Sequence, residues 1–256
     1  MVLRTTAAGE SGSRVVLCHG LFGQGKNWSG IGKALAAEHR VLLVDMPDHG
    51  ASPRSEHFDY LAMADQVAEV LEPGDTLVGH SMGGKAAMLT ALRHRELVER
   101  LVVVDVAPVA YEHAAEFEGY IRAMQAIDLD TLASRTAADE ALREAVPSPT
   151  VRGFLLQSLQ REGDGWRWLL HLDLLLRDLD SITDWPADAV ADVAPYDGPV
   201  LWVGGAESHY VTQESATAMD RLFPRNRRVT VKGAGHWVHS EQPAVFVEVL
   251  RRFLAR

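Results

Sequence analysis

Short, nearly unbroken apolar runs alternate along this chain with longer stretches whose apolar positions recur at helical spacing. The runs at 15–18, 40–45, 76–79, 101–105, 200–203 and 228–231 read as strands covered on both faces, because a strand with one wet face alternates apolar and polar residues. Amphipathic stretches at 28–38, 60–71, 82–93, 213–223 and 244–252 read as the helices between them. Strand and helix in turn predict a mostly parallel central sheet flanked by helices, joined by right-handed crossovers. In such sheets ligands meet the loops at the carboxyl ends of the strands. One interval breaks the rhythm. From 105 to 200 no strand is evident, yet Phe117, Ile121 and Met124 share a helical face, as do Phe154, Leu155 and Leu159, and "WRWLLHLDLLL" follows. The pattern divides the chain into a core of 1–107 and 195–256 and a helical insert of 108–194, expected to lie as a lid over the strand ends.

Composition narrows what this scaffold does. With 256 residues, 47% of them hydrophobic, the chain buries a full-sized core. Its formal net charge of -10 repels phosphate backbones and anionic lipid surfaces, so neither nucleic acid nor membrane is an expected partner. Cys18 is the single cysteine, which leaves no disulfide framework and no CxxC metal motif. The opening "MVLRTTAAGE" lacks the apolar segment of a secretion signal. A cytoplasmic protein is expected, with monomer and homodimer both open.

The chemistry-bearing segment is "TLVGHSMGGKAAM". Its Gly79-His80-Ser81-Met82-Gly83 fits G-x-S-x-G between a strand and a helix, the context in which a tight turn exposes a serine hydroxyl. The Met82 N–H, at the start of the following helix, is then placed to meet an oxyanion. A serine needs a base to become nucleophilic. Of eleven histidines, His236 in "VKGAGHWVHSEQP" has the address for it, after the last strand and before the last helix. His239 fits better as a packing or capping residue, and His19 and His80 as braces of their turns. The acid that orients the imidazole has two candidates at this stage. Asp105 ends "LVVVD", and Glu207 follows the next-to-last strand, just before Ser208.

A competing motif overlaps the first strand end. Gly20-Leu-Phe-Gly-Gln-Gly25-Lys26 fits the phosphate loop G-x-x-x-x-G-K, but Asn27 stands where a hydroxyl must hold magnesium. The nucleotide reading also leaves Ser81 and His236 without a role, and Lys26 becomes a surface residue near a helix start.

Together "HGLFG", "GHSMGGKAAM", "VVDVAPVAY", "GGAESHYV" and "GAGHWVHSEQP" resemble the α/β-hydrolase superfamily, in particular its YbfF-like branch of small esterases and thioesterases. The resemblance runs from about Val15 to the C-terminus. It implies an α/β-hydrolase fold with a helical lid inserted after the sixth strand, a catalytic triad of Ser81, His236 and Asp105, and an oxyanion hole of the Leu21 and Met82 N–H groups. The activity it implies is hydrolysis of short- to medium-chain carboxylic esters or acyl thioesters through an acyl-enzyme. The same triad also serves C–C bond hydrolases and perhydrolases, and a non-catalytic small-ligand receptor would keep the same pocket. No cofactor and no metal is called for, since serine, imidazole and peptide dipoles supply every role. Phe22, Phe154, Trp168, Tyr210 and Trp237 are the expected substrate-binding residues. The departures at Glu207 and His209 and within the lid leave the acyl preference open.

Overall fold

In the computed structural model, which describes residues 2–112 and 114–255, the apolar runs become strands at the places expected. Those described are β1 (Thr5–Ala8), β2 (Arg14–Cys18), β3 (Arg40–Val44), β4 (Asp75–His80), β5 (Val98–Val104), β6 (Leu159–Glu162), β7 (Gly165–Trp168), β8 (Val200–Gly205) and β9 (Asn226–Val231). Seven of them form one sheet in the order β1-β3-β2-β4-β5-β8-β9. Every pairing in it is parallel except β1 with β3. The pattern along β2 explains the unbroken apolar runs. Val15 and Leu17 face one side of the sheet, Val16 and Cys18 the other, and all four are fully buried, since successive side chains of a strand point to opposite faces. β1 escaped the sequence reading because "TTAA" is an edge strand half open to solvent, with no apolar run to mark it.

Helices cover both faces. α1 (Ser29–Leu35) packs beneath one face, joined there by the last helix of the chain. On the opposite face lie α2 (Tyr60–Ala68) and α3 (Met82–Arg93). Asp59 starts α2 by accepting the Leu61 N–H at 2.7 Å and the Ala62 N–H at 3.4 Å, which satisfies N–H groups that a helix start leaves free. α3 is buried from Met82 to Leu92, so it runs through the centre of the protein rather than along its surface.

The insert contains α4 (Ala114–Gln125), α5 (Arg135–Leu142), α6 (Pro149–Leu155), the β6–β7 hairpin, α7 (Leu172–Arg177) and α8 (Leu179–Thr183). Two expectations are corrected here. The insert leaves β5, the fifth strand among the described residues rather than the sixth. It is also not wholly helical, since "LQREGDGWRW" turns at Gly163, whose φ of +59° suits glycine, and pairs Arg161 with Trp166 across a hairpin. The expected helix over "WRWLLHLDLLL" therefore begins only at Leu172. After β8 the chain closes with α9 (Ala216–Leu222), α10 (Val238–Glu241) and α11 (Pro243–Leu254), the helix that joins α1.

The insert is fastened to the core at three places. Gly50 N–H donates to Leu169 O at 2.7 Å, and His171 N–H to Asp48 O at 2.9 Å. Asn27 Nδ2 donates to Gln157 Oε1 at 2.6 Å, and Lys26 Nζ to the Gln157 carbonyl at 2.8 Å. At the insert's far end the Ile182 carbonyl accepts from Tyr60, while Lys85 reaches the carbonyls of Thr183 and Asp184.

Candidate active site

Five strand ends converge on one point. Ser81 follows β4 with φ +53° and ψ -121°, and its N–H donates to Val104 O at 3.0 Å. A side chain rarely tolerates that backbone; here the flanking glycines hold it. A Cβ on Gly79 would stand 2.2 Å from the Gly83 carbonyl oxygen, and one on Gly83 would stand 2.3 Å from that of His19. Both distances are impossible for real atoms, which is the physical content of G-x-S-x-G in this chain. Asp105, after β5, has φ +50° and is fully buried.

Asp105 and His236 meet. His236 Nδ1 lies 2.8 Å from Asp105 Oδ2. Gly205 N–H donates to Asp105 Oδ1 at 3.0 Å, and the Ser208 hydroxyl donates to Oδ2. A carboxylate accepting from both is acceptor-only, so the imidazole Nδ1 donates and Nε2 is left as the acceptor. Tyr210 stacks on the His236 ring at 4.0 Å between centroids with the planes 22° apart, and burial pushes its phenol up to about 12. Glu207, the alternative carboxylate, is exposed, and no hydrogen bond joins it to His236 among the described residues.

Three further histidines brace turns beside the site, His19 and His80 as expected and His49 in addition. His19 Nε2 accepts the Met46 N–H at 2.9 Å, so its Nδ1 carries the proton given to Gly20 O. His49 Nε2 accepts from Phe22 N–H at 3.2 Å while Nδ1 donates to Pro47 O. His80 donates from Nε2 to the His236 carbonyl at 2.9 Å. Burial holds His19 and His80 well below the usual histidine range and also lowers His49. His239 stacks on Trp28 at 4.0 Å, and burial pulls it down to about 3.

The Met82 N–H belongs to the first turn of α3, which has no carbonyl to bond within the helix. Leu21 N–H has no acceptor among the described residues. Both residues border Ser81, together with Tyr60, Lys85, Phe117 and Tyr210, around a narrow space of about 30 Å³. A second space of about 20 Å³ on the other side of Ser81 is walled by Phe22, Tyr120, Phe154, His236 and Trp237. So Phe22, Phe154, Tyr210 and Trp237 line the spaces that Ser81 borders. Trp168 does not. It ends β7 of the β6–β7 hairpin at 7% exposure and donates from Nε1 to Met124 O at 3.1 Å, so its expected place in the substrate pocket is corrected to a packing one.

Lys85 was missed altogether. It lies one helical turn after Ser81, 2% exposed, and Nζ donates to Thr183 O at 2.7 Å and Asp184 O at 2.6 Å. The Tyr111 ring sits 4.9 Å from Nζ. Burial pulls this lysine down to about 7, and the Asp184 carboxylate offsets it only in part. The signal was in the sequence as a lysine on an otherwise apolar helix, "MGGKAAM". Among the described residues no three histidine, cysteine or acidic side chains gather as metal ligands, and no helix is long and apolar enough to cross a membrane.

With that geometry in place, the class of protein is defined by comparison. The family model for the alpha/beta hydrolase fold matches residues 13–243, so the chain belongs to the α/β hydrolase family and is a hydrolase. It is 39% identical to the sn-1-specific diacylglycerol lipase ABHD11 of Mus musculus over 94% of this chain and 80% of that protein. It is 32% identical to Esterase YbfF of Escherichia coli K12 over 96% of this chain and 94% of the esterase. Among solved structures, a marine microorganism esterase superposes with a TM-score of 0.93 at 31% identity, covering 98% of this chain and 99% of the other.

Proposed function

We propose that this protein is a serine hydrolase that cleaves carboxylic esters, acyl thioesters included, through a Ser81–His236–Asp105 triad. The observation that carries the reading is the 2.8 Å contact between His236 Nδ1 and Asp105 Oδ2 beside a serine held in a strained strand-to-helix turn. His236 Nε2 takes the Ser81 proton as Oγ attacks the acyl carbon. The Leu21 and Met82 N–H groups stabilise the oxyanion, a contribution on the order of 3 kcal/mol for each donor. Asp105 stabilises the imidazolium formed in that step and does not itself take the proton. His236 then protonates the departing alcohol or thiol, and water repeats the sequence to free the acid and the serine.

On this reading residues 1–107 and 195–256 form the catalytic core and 108–194 a lid that walls the pocket. The narrow spaces beside Ser81 support short acyl groups, and relatives named as esterases and a lipase support ester substrates. A fluorophosphonate probe is expected to label the wild type at Ser81 and to leave Ser81→Ala unlabelled. Ser81→Ala is expected to retain far less than a tenth of wild-type turnover with p-nitrophenyl acetate, because triad removals cost several orders of magnitude. A labelled or active Ser81→Ala protein refutes the nucleophile assignment.

A further inference from the structure

The turn that carries the Leu21 N–H is held in a backbone form that its own residues disfavour. Gly20 to Gly23 make a β-turn, closed by Gly23 N–H donating to Gly20 O at 3.0 Å. Of the two central residues only Phe22 has a positive φ, +65°. That is a type II turn with phenylalanine where glycine is favoured. Turning over the Leu21–Phe22 peptide would give a type I turn and release Phe22 from the left-handed region, which side chains occupy at a cost. The same flip would exchange the Leu21 carbonyl with the Phe22 N–H, on the peptide next to the Leu21 N–H. The turn also has no room to change shape unnoticed, because a Cβ on Gly20 would stand 3.0 Å from the Ser81 Cβ.

What opposes the flip is His49, 1% exposed. Burial lowers this histidine, so at neutral pH its ring has one donor and one acceptor. Nδ1 donates to Pro47 O at 2.7 Å, which leaves Nε2 to accept the Phe22 N–H at 3.2 Å. After a flip the same lone pair would face the Leu21 carbonyl oxygen, acceptor against acceptor and away from water. The residue itself is anchored, since its N–H donates to Met46 O at 3.1 Å and it bridges to Leu170 of the insert. We propose that His49 is a positioning residue for hydrolysis, locking through Nε2 the strained turn that aims the Leu21 N–H at the oxyanion. The inference rests on the serine-hydrolase reading and adds to it a group outside the triad and the pocket. His19 ties the same two loops, but its bonds go to Gly20 O and the Met46 N–H and not to the peptide that flips.

The test separates the two nitrogens of the ring. His49→Asn keeps a donor near the place of Nδ1 and loses the acceptor at Nε2, whereas His49→Gln does the reverse. Turnover of p-nitrophenyl acetate is measured per site titrated with a fluorophosphonate. In His49→Asn kcat is expected to fall by about tenfold to a hundredfold with KM within about threefold. The inhibition constant of a trifluoromethyl ketone, whose adduct with Ser81 places an oxyanion in the same hole, is expected to rise by a matching factor. His49→Gln is expected to stay within about threefold of the wild type in both measurements. Equal losses in the two variants overturn the proposal, as does a loss in His49→Asn with an unchanged inhibition constant. Whether or not either variant folds, proton–nitrogen NMR of the wild type is expected to find the His49 proton on Nδ1, and a proton on Nε2 overturns the proposal. A wild-type protein that neither turns over the acetate nor takes up the fluorophosphonate refutes the serine-hydrolase reading instead.

Discussion

Replacing Asp105 by asparagine tests how the imidazole is held, because the change is nearly isosteric and falls on a residue whose every contact is known. Oδ1 accepts from Gly205 N–H, and Oδ2 accepts from Ser208 and from His236 Nδ1. Asparagine has one oxygen. If that oxygen stays with Gly205, the amide NH₂ faces His236 Nδ1 and forces the ring to donate from Nε2, the nitrogen that must accept the Ser81 proton. If the amide flips, its NH₂ opposes the Gly205 N–H and leaves buried donors unpaired, at about 1–3 kcal/mol. The first arrangement therefore prevails, and kcat is expected to fall by about 10³ to 10⁴, as wrong-tautomer imidazole does in serine proteases. That loss corresponds to about 4–5.5 kcal/mol in the barrier. The fold is expected to survive, since asparagine accepts the φ of +50° at this position better than most residues. Steady-state hydrolysis of p-nitrophenyl acetate, beside a thermal melt of each protein, gives both quantities. A loss smaller than tenfold in a folded Asp105→Asn protein refutes the orientation argument. A loss of the expected size in Glu207→Gln, with Asp105→Asn nearly silent, would move the acid to the loop after β8, and comparable losses in both would mean that the two share the imidazole.

Further expectations follow from the same geometry. Gly79→Ala places a methyl group 2.2 Å from the Gly83 oxygen, so it is expected to cost about 3 kcal/mol or more and to abolish turnover, read as a lower urea midpoint. An unshifted midpoint with full activity refutes the turn argument. Lys85, pulled down to about 7 by burial, binds fewer protons folded than unfolded between about pH 7 and its ordinary range above 10. Stability is therefore expected to rise with pH across that window and to lose this slope in Lys85→Met; identical slopes in the two proteins would count against it. Phe154→Ala is expected to move the acyl optimum to longer chains, with kcat/KM changing several-fold per two carbons. Trp168→Ala is expected to leave the chain-length profile alone while costing about 3–5 kcal/mol of stability. A profile moved by Trp168→Ala and untouched by Phe154→Ala would reverse their roles.

What sequence revealed and what it hid divides along physical lines. The parallel strands were legible because burial on both faces leaves continuous apolar runs such as "VLLV". Ser81 and His236 were legible because their backbone surroundings demand glycine, and glycine is visible in a sequence. Asp105 stood beside Glu207 as a rival, since which strand end meets the imidazole is a matter of spatial order. β1 and the lid hairpin were missed for the opposite reason, being short and half-exposed with little apolar signal. Lys85 stayed hidden because its partners are the backbone carbonyls of Thr183 and Asp184, about a hundred residues away, and carbonyls carry no sequence signature. Trp168 misled because apolarity marks burial without saying against what.

The attachment of Lys85 bears on how freely such lids can be exchanged between relatives. Its ammonium stands on the helix that begins just after Ser81, yet its two acceptors belong to the end of the insert where the chain returns to the core. A graft cut at the borders of 108–194 would carry off both carbonyls and strand a cation inside the protein. Chimeras made at this seam therefore need a matched pair, the foreign lid together with whatever residue its own scaffold keeps four places after the serine.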